Sequence, residues 1–318
     1  MKQLFEIDLR DYEGCTKVFS RPSARGIIVR DGKLALVYSR KEKYYKFPGG
    51  GIQSGEDKKT ALIREVKEET GLTVIPESIA EFGSVMRRHR SNLEPDTVFE
   101  QENFYYVCCV EDEVTAQNLD DYEKEAEFTL QWTDIDEAIR VNDAYSSENL
   151  FDHMMIKREL RVLQIIRETM IVQELLPYAY VMNEGLDAEV IYAGAYADAL
   201  DVLLAMYPEN NFLKELEAVS GAKQSADAIL AENDSPVLAP DDFGKVLIKL
   251  LRSVYANTEL SAFAKHTYGL WGKLPDGIMN IMPFITLCYA DDPLAYGDEA
   301  QTRRVYENLF AYYEGEFL

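Results

Sequence analysis

The chain has 318 residues, with 33 Lys or Arg against 56 Asp or Glu and a formal net charge of −23. That charge repels phosphate polyanions and anionic lipid headgroups, which argues against general nucleic-acid binding and against a membrane-surface protein. AVILMFWYC residues make up 47% and charged residues 28%, the balance of a folded protein long enough for about two domains. MKQLFEIDLR at the start has no apolar signal core, and the best apolar run, 278–290, is interrupted by Asn280 and Pro283. The expected location is cytoplasmic. Cys15, Cys108, Cys109 and Cys288 make no CxxC pair and no disulfide framework.

In chain order, the β-rich runs RGIIVR (25–30) and KLALVYS (33–39) flank Asp31-Gly32, a dipeptide suited to the positive φ angles of a tight hairpin. Further strands are expected at 44–47, 79–88, 98–110 and 128–132, and a helix at 57–70. A second helix should start near Ser147 and stop before Pro177. Its apolar positions spread over more than one stripe, so it should be buried on two sides. Strands with helices between them indicate an α/β layered domain. Beyond Leu186 the pattern turns helical, at 187–207, 211–219, 225–231, 241–255, 275–289 and 298–313, with no strand. The expected organisation is an α/β domain at 1–176 and an all-α domain at 187–318, parted where Pro177, Asn183 and Gly185 break the pattern.

The chemistry concentrates in GGIQSGEDKKTALIREVKEETGL, residues 50–72. Ser54 followed by Asp57 has capping-box spacing, and Gly71 sits where a C-terminal glycine ends a helix. At about 100° per residue, Glu65, Glu68 and Glu69 flank the apolar stripe of Leu62, Val66 and Ile63, while Lys67 points to solvent. Carboxylates grouped within one turn repel each other, and a hard divalent cation with oxygen ligands would relieve that repulsion. An isolated EVKEE would be read as no more than a solvated acidic helix end.

The stretch is not isolated. Gly50, Glu56 and the run Arg64-Glu65-Val66-Lys67-Glu68-Glu69-Thr70-Gly71-Leu72 resemble the Nudix box, Gx5Ex7REUxEExGU, at every fixed position. Phe47-Pro48-Gly49-Gly50 ahead of the box, and Trp132-Thr133-Asp134-Ile135-Asp136-Glu137-Ala138 before a further helix, are also similar to that family. The resemblance covers roughly residues 20–172. It implies a Nudix-type mixed β-sheet sandwiched by helices, and metal-dependent hydrolysis of a nucleoside diphosphate linked to another moiety. Position by position, it implies that Glu65, Glu68, Glu69 and the Gly49 carbonyl hold Mg²⁺ or Mn²⁺. It makes Glu65 or Glu68 the activator of water, with Arg64 in the catalytic set. Glu56, Gly50 and Gly71 are supporting.

Beyond the box the signals are weaker. Glu100 and Glu102 share a strand face, and either is a candidate further acid. Arg87, Arg88 and Arg90 form a local basic cluster that could meet substrate phosphate. His89, His153 and His266 have no zinc spacing and read as ordinary histidines. The helical half resembles no family; a protein partner, a homodimer or a cover over the active site all remain open for it. The rival from another class is a nucleotide or metabolite sensor, in which the first half binds ligand and the second transmits it to a partner. Such sensors often lose box glutamates, and this chain keeps all of them.

Overall fold

The computed structural model describes residues 1–147, 150–191, 193–220, 222–233, 240–274 and 276–313. The chain divides into two compact units, Met1–Arg167 and Glu168–Leu318.

The first unit holds all the strands found among the described residues. They are β1 (Gln3–Asp8), β2 (Lys17–Ser20), β3 (Ser23–Ile27), β4 (Val29–Arg30), β5 (Lys33–Ser39), β6 (Tyr44–Lys46), β7 (Gly49–Gly51), β8 (Leu72–Val74), β9 (Ala80–Arg90), β10 (Thr97–Val107), β11 (Val110–Val114) and β12 (Phe128–Thr133). The main sheet runs β1-β9-β10-β3-β7, with β2 also on β10. It is mixed: β10 is antiparallel to β9 and parallel to β3 and β2. A second sheet runs β12-β5-β4 with β6 on β5, and β11 pairs β8. The hairpin from β4 to β5 turns at Asp31 and Gly32, with φ of 51° and 71°. The run expected as one strand at 98–110 is split, because the chain leaves the main sheet after Val107 and re-pairs with β8 as β11. Cys108 is buried and Cys109 exposed, the opposite facing expected of neighbours in an extended chain.

Among the described residues, the α-helices of this unit are α1 (Lys58–Thr70), α2 (Asp121–Glu125), α3 (Ile135–Asp143) and the first turns of α4 (Leu150–Asp187). Helix α1 buries Ala61, Leu62 and Val66 against Ala24, Phe104 and Tyr106 on one face of the main sheet. The opposite face carries Arg25, Asn103 and Tyr105, which meet Arg158 and Glu159 of α4. Strand alternation makes this division. The α1 cap differs from expectation: Asp57 itself is the N-cap and accepts from the Lys59 and Thr60 amides, so Ser54 lies outside the helix. Gly71 closes the helix at φ 76°, as a left-handed C-cap.

In the second unit α4 continues and is followed by α5 (Ala193–Met206), α6 (Asn211–Ala218), α7 (Lys223–Asn233), α8 (Pro240–Tyr255), α9 (Leu260–Trp271), α10 (Asp276–Met279) and α11 (Glu299–Phe310). The helix expected to stop before Pro177 instead carries it inside and runs to Asp187. An interior proline costs about 3 kcal/mol. Leu175, Leu176, Ala179, Val181 and Met182 are all buried in the helical core around it, and that burial outweighs the cost. The helix expected at 275–289 is broken: α10 is short, Met282-Pro283 is a cis peptide, and Phe284–Cys288 is a 3₁₀ turn. Pro275, its expected first residue, lies outside the described residues. Helix α9 was not expected at all. Among the described residues no helix is long and apolar enough to cross a membrane.

Candidate active site

Residues 46–51 pass from β6 through a turn into β7 and face the C-terminal half of α1. Gly49 has φ 141°, and a Cβ there would lie 2.2 Å from the Ala24 carbonyl oxygen, so only glycine fits. A Cβ on Gly50 would lie 2.2 Å from Glu65 Oε2, which is how closely the turn approaches the box helix.

Arg64 gathers the box carboxylates. Its Nε and Nη2 donate to Glu56 Oε1 and Oε2, both at 2.9 Å, and its Nη1 donates to Glu65 at 2.6 Å and Glu68 at 3.1 Å. Nη2 also donates to the Gly51 carbonyl at 3.1 Å. These charge-assisted bonds hold the Glu56 carboxyl below its ordinary range. Burial pushes Glu65 upward, so it holds a proton more readily than an exposed glutamate.

Glu69 is placed differently. Only 1% exposed, it accepts from Lys46 Nζ at 2.5 Å and from the Gly49 amide at 2.9 Å. Burial pushes its pKa up to about 7, while Lys46 and the amide pull the other way. The three glutamates are therefore not equivalent: Glu65 and Glu68 converge on Arg64, whereas Glu69 ties α1 to the glycine turn.

A cavity of about 650 Å³ lies alongside, lined by Glu56, Lys58, Met86, Glu100, Glu102 and Phe104 among others. Its size suits a small-molecule site. Glu100 and Glu102 thus share the face and the cavity with Glu56. Glu100 also accepts from Arg88 Nε at 2.8 Å.

The basic cluster is not brought together. Alternation along β9 puts Arg88 on the Met86 side of the sheet and Arg87 on the other. Arg88 pairs with Glu6 and Glu100, and Arg90 donates to the backbone carbonyls of Asp11 and Glu13. Arg87 is 1% exposed, lies over the Phe99 ring at 5.2 Å, and is lowered to about 9 by burial and by the nearby charges of Arg158 and Arg25.

Residues the sequence reading passed over also reach the site. Lys46 neutralises Glu69; its place just ahead of Phe47-Pro48-Gly49 was the only signal. Arg25 Nη1 donates to the carbonyls of Phe47 at 3.1 Å and Gly49 at 3.2 Å, and Glu159 accepts from the Phe47 amide at 2.7 Å. Neither stands in a motif.

Residues 20–154 match the family model described as the NUDIX domain. A Nudix hydrolase of uncharacterised activity from Bacillus subtilis, YvcI, is 27% identical over 129 residues, 41% of this chain and 75% of that protein. An ADP-ribose pyrophosphatase from Methanocaldococcus jannaschii is 34% identical over 70 residues, 20% of this chain and 39% of that protein. An 8-oxo-dGTP diphosphatase from Buchnera aphidicola is 37% identical over 54 residues, 16% of this chain and 42% of that protein. The chain thus spans about two fifths of the length of the two relatives with named substrates. Among solved structures, a MutT mutator protein from Bacillus halodurans matches with 21% identity and a TM-score of 0.32, covering 43% of this chain and 80% of that one.

The mixed sheet between helices, with Arg64, Glu65, Glu68 and Glu69 on α1, lies within the residues that match the NUDIX domain. Through residues 20–154, about two fifths of its length, the chain is similar to Nudix hydrolases.

Proposed function

We propose that the first unit hydrolyses the pyrophosphate linkage of a nucleoside diphosphate joined to another moiety, with Mg²⁺ or Mn²⁺ as cofactor. The observation that carries this reading is the charge of the site. Glu56, Glu65 and Glu68 share one guanidinium, and the adjoining cavity adds Asp57, Glu100 and Glu102 against a single lining cation, Lys58. A pyrophosphate would be repelled from such a surface unless cations came with it.

Among the described residues no three His, Cys, Asp or Glu side chains stand as a ready-made cation cage. The donor chemistry nevertheless fits: carboxylates and a backbone carbonyl are the oxygen ligands that Mg²⁺ and Mn²⁺ take. Glu65 and Glu68 would hold the ion with the Gly49 carbonyl, and Glu69 keeps a lone pair on each oxygen. When bound, the ion neutralises pyrophosphate charge and makes a water nucleophilic.

The side chains divide the remaining work. Glu65, half-buried and held by Arg64, takes the proton of the attacking water. Arg64 keeps Glu65 and Glu68 at a fixed separation. Glu56 fixes Arg64 through two bonds. Glu100 or Glu102 faces the substrate across the cavity as a further acid.

A panel of ADP-ribose, dinucleoside polyphosphates, nucleotide sugars, NADH and oxidised deoxynucleoside triphosphates, with the nucleotide products separated and quantified, tests the reading. Turnover of at least one is expected. Tight binding of one with no turnover of any would favour the sensor.

A further inference from the structure

Every backbone donor and acceptor from Phe47 to Gly49 is bonded to a group outside the turn. The Phe47 amide donates to Glu159, the Pro48 carbonyl accepts from the Gly26 amide at 2.8 Å, and the Gly49 amide donates to Glu69. Both remaining carbonyls, of Phe47 and Gly49, accept from the same atom, Arg25 Nη1. Behind Arg25 lies a carboxylate: its Nε is 4.0 Å from Glu159 Oε1, an ion pair beyond hydrogen-bond reach, and both side chains are buried. Glu159 in turn is fixed by Arg158 and by the Tyr105 hydroxyl at 3.4 Å. Its carboxyl is held below the ordinary range, because Arg158 and Arg25 outweigh the burial that would raise it.

The turn does not need Arg25 for its register. Ladder pairing of Ser23, Ala24 and Arg25 with Gly51, Gly50 and Gly49 already sets it. A buried guanidinium carries a desolvation cost that an apolar side chain at the same position would avoid. What the guanidinium alone provides is a rigid fork, with one edge toward Glu159 and one nitrogen, Nη1, donating to two carbonyls.

We infer that Arg25 is a positioning residue of the active site, which fixes the orientation of the Gly49 carbonyl and is itself steered by Glu159. The inference rests on the reading above, in which that carbonyl is a cation ligand. Arg25 acts through the turn and touches no reacting atom. Partners that orient metal ligands typically matter by about 10–100-fold in metal affinity.

The test is Arg25→Lys in the full chain, which keeps the charge beside Glu159 and removes the fork. Mn²⁺ binding, followed without substrate by the paramagnetic resonance of the free ion, should weaken about tenfold or more. The Mg²⁺ concentration for half-maximal turnover should rise in parallel, with substrate KM at saturating metal little changed. A folded Arg25→Lys protein that binds Mn²⁺ as wild type does would overturn the inference. If Arg25→Lys does not fold, Arg25→Gln carries the same measurement, since it removes one of three guanidiniums crowded near one carboxylate. Loss of folding in both would assign Arg25 to stability alone and also overturn it. Glu68→Gln is the reference: if it and wild type bind Mn²⁺ equally, the metal reading fails rather than the role of Arg25.

Discussion

Neutralising Glu68 and neutralising Lys46 are different perturbations, although both touch the same helix turn. Glu68 has a side chain 37% exposed, and its loss leaves Arg64 bonded to Glu56 and Glu65. Glu68→Gln should therefore change stability by no more than about 0.5 kcal/mol. Glu65→Gln removes the proposed base, and kcat should fall about 100-fold or more. Single-turnover formation of the nucleoside monophosphate by the folded variant checks it; wild-type kcat would end that assignment. Lys46→Met instead leaves Glu69 buried without its cation, and breaking such a pair costs about 3 kcal/mol or more. The cost depends on pH. Burial already raises the folded-state pKa of Glu69 above the ordinary value, and loss of Lys46 raises it further. A raised carboxyl contributes stability that is fully present below the unfolded-state pKa and lost as pH rises through the folded-state value. Denaturant titrations should show Lys46→Met most destabilised near pH 8 and much less near pH 5; an equal loss at both would contradict the burial argument. The same pair limits what the sequence could convey. Periodicity placed the glutamates at the edge of the apolar stripe, but not which of them the turn would cover. Lys46, Arg25 and Glu159 meet Glu69 and the turn only because two strands, a turn and two helices converge.

At the scale of elements, local signals with a physical mechanism were the legible ones. Asp31-Gly32 made its hairpin, Gly71 capped α1, and alternation put Glu100 and Glu102 on one face. The same alternation parts Arg87 from Arg88, so a cluster in sequence is not a cluster in space. Helix α9 was missed although Leu260, Phe263, Ala264, Thr267 and Leu270 are buried at helical spacing. Its N-cap is Glu259, a longer acid than the usual Ser, Thr, Asp or Asn, which accepts from the Ser261 and Ala262 amides. Pro177 misled in the other direction, since a proline ends a helix only when nothing beyond it is worth burying. Pro177→Ala should restore a backbone bond and recover about 3 kcal/mol of helix propensity. The buried ring would lose about two methylene groups of packing, about 1.6 kcal/mol. A net stabilisation of about 1 kcal/mol is expected in chemical denaturation; destabilisation would mean that the ring is a core contact outweighing the helix term.

For the whole molecule, the net charge of −23 sets the terms on which an anionic substrate is met. The excess is spread over both halves: residues 187–318 carry 21 acidic against 9 basic side chains. Field alone would keep a pyrophosphate away, so the proposed chemistry needs cations at the site. The most direct measurement is formation of the nucleoside monophosphate from a turned-over substrate, with the protein first stripped by EDTA and then returned to Mg²⁺ or Mn²⁺. Activity should vanish on chelation, return with either ion, and fail to return in Glu68→Gln at the same metal concentration. Full turnover in excess EDTA, or a Glu68→Gln protein indistinguishable from wild type at low metal, would contradict the metal-held pyrophosphate.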